Sequence, residues 1–117
     1  MADPFVIKDS GRHEVFVTGM NRDTEAGKLD YTLIYDGPML KRWTAHLTKG
    51  AVKYEPRNWL KAATQEELGR YRRSLARHYH DYMAGLVDED HAAAIFFNVN
   101  GVEYVKERLN DPLSQVQ

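Results

Sequence analysis

From residue 36 onward, large apolar side chains recur at the three-to-four spacing of helices, whereas the first 35 residues hold only short apolar runs. The spacing predicts three principal helices. The first begins at Asp36, read as its N-cap, with Pro38 in the opening turn, and presents Met39, Leu40, Trp43, Leu47 and Ala51. Gly50 marks a frayed end. The second opens on the Thr64-x-x-Glu67 capping box, presents Leu68, Tyr71, Leu75, Tyr79 and Tyr82, and stops before Gly85. The third starts at Asp88-Glu89-Asp90-His91 and places His91, Ile95, Asn98, Val102, Val105 and Leu109 on one stripe. Phe96, Phe97 and Tyr104 fall off that stripe, which predicts a homo-oligomer covering a second apolar face. Upstream, the β-prone runs 5–8 and 13–17 predict a hairpin around Asp9-Ser10-Gly11-Arg12, and 21–28 reads as a loop. The expected architecture is mainly α, a small bundle of three principal helices with an N-terminal hairpin or irregular arm. One domain spans 1–117, with the arm at 1–35, the helical core at 36–110 and a tail at 111–117.

Composition narrows the function. With 16 Lys+Arg against 17 Asp+Glu the net charge is -1, which argues against a duplex nucleic acid partner held by its phosphates. The chain has no cysteine, so thiolate metal sites, disulfides and cysteine nucleophiles are excluded. No apolar run approaches the roughly 20 residues of a membrane span, and residues 1–10 do not read as a signal peptide. No membrane partner is expected.

Two segments carry candidate chemistry. Asp88, Glu89, Asp90 and His91 bring carboxylates and an imidazole together, as a site for Mg²⁺ or Mn²⁺ would. The plainer reading is that acids at a helix start complement its dipole. His91 and Asn98 lie on the inward stripe, His78 on the edge of the second stripe, and His46 seven residues after Met39. Packed stripe to stripe, the three helices would enclose a polar centre; equally, each histidine could be an ordinary core residue. His80-Asp81 spells the dipeptide of HD-type metal phosphohydrolases, with His46 and Asp111 as loose completions. The second segment is Lys53-Tyr54-Glu55-Pro56-Arg57-Asn58-Trp59, where cations beside flat rings suit a nucleotide. Trp59 could instead be a loop anchor. Lys28, Lys53, Arg57 and Arg77 are the cations that could meet phosphates. Walker, Rossmann and nucleophile-elbow patterns are missing from the sequence.

The order Thr18-Gly19-Met20-Asn21-Arg22-Asp23, Gly27-Lys28-Leu29-Asp30-Tyr31, Gly50-Ala51-x-Lys53-Tyr54-x-x-Arg57-Asn58-Trp59, Ser74-Leu75-x-Arg77-His78 and Asp88-Glu89-Asp90-His91-Ala92-Ala93-Ala94, followed by Asn98, resembles the phage dATP/dGTP diphosphohydrolase N-terminal domain family over about residues 16–109. The resemblance implies hydrolysis of purine deoxynucleoside triphosphates to monophosphate and pyrophosphate, chemistry shared with the all-α, Mg²⁺-dependent MazG-type pyrophosphohydrolases. It implies a purine nucleotide partner and the cytoplasm of an infected bacterial host. Carried to this chain, it points to Lys28, Lys53, Asn58, Trp59, Arg77 and Asn98 for substrate, joined by Arg57 from the loop's own chemistry. For catalysis it points to Asp88 and His78, joined by Glu89 from the acidic cluster, and for the metal to Asp88, Asp90 and His91. The chain departs from the family in reading Asn58-Trp59-Leu60-Lys61-Ala62 where members often have Asn-Trp-Glu-Lys-Gly. It also lacks a clean Glu-x-x-Glu pair of the MazG type. Those departures favour an alternative, a non-catalytic protein that binds or sequesters a nucleotide. The apolar third helix suggests a further reading, a structural or interaction subunit.

Overall fold

The computed structural model describes residues 7–110, which divide at Leu33–Ile34 into two compact units. In the first, strands β1 (His13–Val15) and β2 (Asn21–Asp23) pair antiparallel in the register His13↔Asp23, Glu14↔Arg22 and Val15↔Asn21. The hairpin therefore forms, but one strand further along than the apolar runs suggested. Its partner strand comes from the segment read as a loop. Phe16 N–H donates to the Met20 carbonyl at 2.9 Å, and Gly19, at φ 90°, makes the reversal that a residue with a Cβ resists. Of the run 5–8, residues 5 and 6 lie outside the described residues, and Ile7 and Lys8 carry no strand. The tail 111–117, including Asp111, also lies outside them.

The second unit is mainly α. Helix α1 spans Met39–Lys53, α2 spans Gln65–Met83 and α3 spans His91–Asn110. Pro38, not Asp36, occupies the N-cap of α1, without a side-chain cap bond, and the helix runs on past Gly50 to Lys53. The capping box of α2 forms as read: Glu67 N–H donates to Thr64 Oγ1 at 3.1 Å, and Thr64 N–H donates to Glu67 Oε1 at 3.2 Å. Its other end is a Schellman turn, with Leu86 N–H on the Asp81 carbonyl and Gly85 N–H on that of Tyr82, and Gly85 at φ 79°. At the start of α3, Asp90 Oδ1 accepts the Ala93 N–H at 3.0 Å, the geometry of an N-cap.

Helix α3 is the hub against which α1 and α2 pack. Its buried residues are His91, Ala93, Ala94, Asn98, Gly101 and Val105, so the inner stripe is built largely from small side chains. At Gly101 the α2 helix comes close enough that a Cβ would stand 2.5 Å from the Tyr71 ring. The inner face of α2 also differs from the apolar stripe read in its sequence. Tyr79 and Tyr82 are exposed, while Ser74, His78 and Asp81 are half-buried. Two of the three aromatics assigned to an outer face of α3 turn inward as well. Phe97 packs against His46 and Tyr71, and Tyr104 packs edge-on to Trp59 at 5.2 Å and donates its hydroxyl to the Leu60 carbonyl at 2.6 Å. Phe96 and Val99 remain exposed. Among the described residues, no helix is long and apolar enough to cross a membrane.

Candidate functional site

The polar face of α2 meets the first turn of α3 in a cluster of two histidines and two carboxylates. His78 Nδ1 and His91 Nδ1 lie 2.9 Å apart, and His91 Nε2 is 2.8 Å from Asp88 Oδ1. Glu89 Oε1 stands 3.7 Å from His78 Nδ1. His91 is 3% exposed, which is why its geometry is set by these neighbours rather than by water. The Asp88 carboxylate beside it pushes the His91 imidazole up from its ordinary value, and the same bond pulls Asp88 down. Asp88 thus holds a proton on Nε2 and leaves the Nδ1 lone pair of neutral His91 aimed at His78.

Two nitrogens at that spacing share either a proton or a cation. Nitrogens bonded to one ion at about 2.0–2.1 Å lie about 3 Å apart when adjacent, so the residues present fit a divalent metal. His78, Glu89 and His91 would supply its ligand atoms, which lie within 4.8 Å of one another. Asp88 then has the place of the carboxylate that orients a metal-bound histidine. Asp90, expected beside them, is engaged elsewhere: Arg42 donates from Nε to Oδ2 at 2.8 Å and from Nη2 to Oδ1 at 2.6 Å. That guanidinium holds the Asp90 carboxyl down at about 2, and the pair ties α1 to the start of α3. His80 and Asp81, the HD dipeptide, are in neither metal-capable group found among the described residues.

Alongside lies a cleft of about 780 Å³ between α1, the loop 54–59, α2 and α3, within the usual size of a small-molecule site. Its wall includes His46, Tyr54, Arg57, Asn58, Trp59, Arg70, Tyr71 and Phe97. The loop is built to hold those side chains. Arg57 sits at φ 61° in the left-handed region, unusual for a residue with a Cβ, and its carbonyl accepts the Leu60 N–H at 3.0 Å to start a 3₁₀ turn, Asn58–Lys61. Tyr104 and Arg108 of α3 both donate to the Leu60 carbonyl, so the turn is fastened from below. Trp59 is therefore a loop anchor and a cleft wall at once.

His46 connects the two features. It lines the cleft, its ring is 5.0 Å from that of Phe97, and it is near enough to His78 to feel its charge. Burial first, then the His78 charge, lower its pKa and keep the imidazole neutral.

The residues singled out in the sequence separate accordingly. Arg57, Asn58 and Trp59 line the cleft, and His78, Asp88, Glu89 and His91 form the cluster. Lys53 is outside the lining, its Nζ 5.2 Å from the ring centre of Tyr54, which does line it. Arg77 is exposed on α2. Asn98 is 4% exposed and donates from Nδ2 to the Ala94 carbonyl of its own helix at 2.8 Å. Lys28 belongs to the first unit, where it pairs with Asp23 at 3.6 Å. Arg70, Tyr71 and Phe97 were not among the expected site residues; His46 was considered for a polar centre between the helices and lies in the cleft wall. The signal for His46 was its place seven residues after Met39 on the inner face of α1.

An aromatic cleft beside an imidazole–carboxylate cluster, carried on three helices, is the candidate site of this mainly α chain. The match to the family model for dATP/dGTP diphosphohydrolase, N-terminal, covers residues 18–110. The chain belongs to that family, whose name indicates a purine nucleotide substrate. No curated protein and no solved structure matches it.

Proposed function

We propose that this chain hydrolyses purine deoxynucleoside triphosphates, releasing monophosphate and pyrophosphate, with a divalent cation held by His78, Glu89 and His91. The observation that carries the proposal is the 2.9 Å approach of the His78 and His91 Nδ1 atoms, flanked by Asp88 and Glu89, next to an aromatic cleft. The purine lies in the cleft against Trp59, Tyr71 and Phe97. Arg57 and Arg70, both on the cleft wall, offset the charge of the phosphates. Lys53 and Arg77 add to that field from outside it. Water attacks the α-phosphorus, the bond to the bridging oxygen breaks, and pyrophosphate leaves with the electron pair. With one Glu89 oxygen on the cation, the other takes the proton that the water loses. Mg²⁺ or Mn²⁺, when bound, neutralises phosphate charge and lowers the pKa of water.

Asp90 contributes through the fold in this reading, as the cap of α3 paired with Arg42. Self-association through the exposed Phe96 and Val99 is part of it too, because few large side chains of the three helices are fully enclosed within one chain. The second reading, nucleotide sequestration without turnover, is favoured by the small number of oxygen ligands: of the two carboxylates beside the histidines, Asp88 is bonded to His91 and Glu89 is left for a cation. A panel of deoxynucleoside triphosphates incubated with Mg²⁺ or Mn²⁺, with products separated by ion exchange, decides. Purine monophosphate and pyrophosphate support hydrolysis, and tight binding without products supports sequestration.

A further inference from the structure

His46 has the position of a reader of the base. Its ring forms part of the cleft wall, is half-buried, stands against Phe97, and makes no hydrogen bond among the described residues. Its nitrogens are not among the enclosed polar atoms left without a partner, so they still meet solvent. A ligand edge that fills the cleft would replace that water with a direct bond. Because the imidazole is neutral, it offers one N–H donor and one acceptor rather than a cation for phosphate. That separates its role from Arg57 and Arg70 on the same wall. Adenine and guanine differ at position 6, as amine donor and carbonyl acceptor, yet both present N7 as an acceptor on the same edge. Pyrimidines have no equivalent atom. A single N–H donor placed at N7 therefore serves both purines named by the family, whereas pyrimidines have only an exocyclic group on that edge.

Resting on the nucleotide reading of the cleft, we infer that His46 determines purine specificity by donating a hydrogen bond to N7 of the base. The test compares affinities of the full chain for dGMP and 7-deaza-dGMP, in which N7 is replaced by a C–H group. Calorimetry on the monophosphates does not require turnover. Wild type should bind dGMP about 5- to 10-fold more tightly than the deaza analogue, the weight of one neutral hydrogen bond. His46→Phe, which keeps a ring against Phe97, should bind both equally and weakly, and His46→Gln, which keeps a donor, should recover part of the preference. Equal affinities in wild type, or a preference that survives in His46→Phe, overturn the inference while leaving nucleotide binding intact. If neither monophosphate binds, the reading of the cleft fails and this inference with it.

Discussion

Replacing Gly101 with alanine puts a methyl group where the Tyr71 ring already stands. The new Cβ would lie 2.5 Å from Cε1 and 2.7 Å from Cδ1 and Cζ of that ring. Carbon atoms rest at about 3.5–4.0 Å, so the ring must retreat by about 1 Å. It has little room, because Phe97 is 5.9 Å away, centre to centre, on the cleft side. Overpacking of this kind costs about 1–3 kcal/mol, against about 1 kcal/mol gained from alanine's better helix propensity. The net expectation is a loss of about 0–2 kcal/mol. Gly50 is the internal control, since it is also helical and a Cβ there meets nothing within 4 Å. Gly50→Ala should therefore gain up to about 1 kcal/mol. Urea unfolding of the two variants should separate their midpoints in opposite directions, with slopes unchanged. Because Tyr71 also walls the cleft, Gly101→Ala should weaken dGMP binding as well. Equal stabilisation by both substitutions would refute the close α2–α3 contact from which this is reasoned.

Other expectations follow from the same geometry. Asp88 is pulled below its ordinary 3.8 and His91 is pushed above its ordinary 6.5, so the charged pair stabilises most between those values. The His91 part is complete below 6.5 and lost as pH rises through its raised value; the Asp88 part is complete above 3.8 and lost as pH falls through its lowered one. Asp88→Asn, unfolded in the presence of a chelator, should lose more stability at about pH 5–6 than at about pH 9, and a pH-independent difference would count against the pair. Arg57→Ala should weaken dGTP binding by about 1–3 kcal/mol in calorimetry, whereas unchanged affinity would make Arg57 a solvated surface charge. Light scattering should give a mass above that of the 13.5 kDa monomer, reduced in Phe96→Asp; a monomeric wild type at micromolar concentration would remove self-association.

The parts of the fold legible in the sequence were those written in local chemistry. Thr64 and Glu67 marked the start of α2 because a capping box needs only four residues, and Gly85 marked its end because a left-handed C′ residue favours glycine. Asp36 misled because a residue of cap type precedes Pro38, which itself takes the N-cap of α1. The inner faces were harder, since a stripe of large apolar residues is only one way to meet another helix. In α3 the buried positions include Ala93, Ala94 and Gly101, and the missing side chain of Gly101 leaves room for Tyr71 of α2. In α2 the interior accepts Ser74, His78 and Asp81 because it is polar there, which sends Tyr79 and Tyr82 to solvent. Of the candidate site, the loop Arg57–Trp59 and the quartet His78, Asp88, Glu89 and His91 were legible as residue types in order. The engagement of Asp90 by Arg42 was not, since 48 residues separate the two. Nor was the cleft wall of His46, Tyr71 and Phe97, which three helices assemble.

The account depends most on the His78–His91 cluster being where chemistry occurs. The most direct measurement is turnover of dGTP by wild type and His91→Ala side by side, with Mg²⁺ or Mn²⁺ present, scoring dGMP and pyrophosphate, and with circular dichroism on both proteins. The account predicts metal-dependent release of both products by wild type and none by a folded His91→Ala. Undiminished metal-dependent turnover in that variant would contradict it.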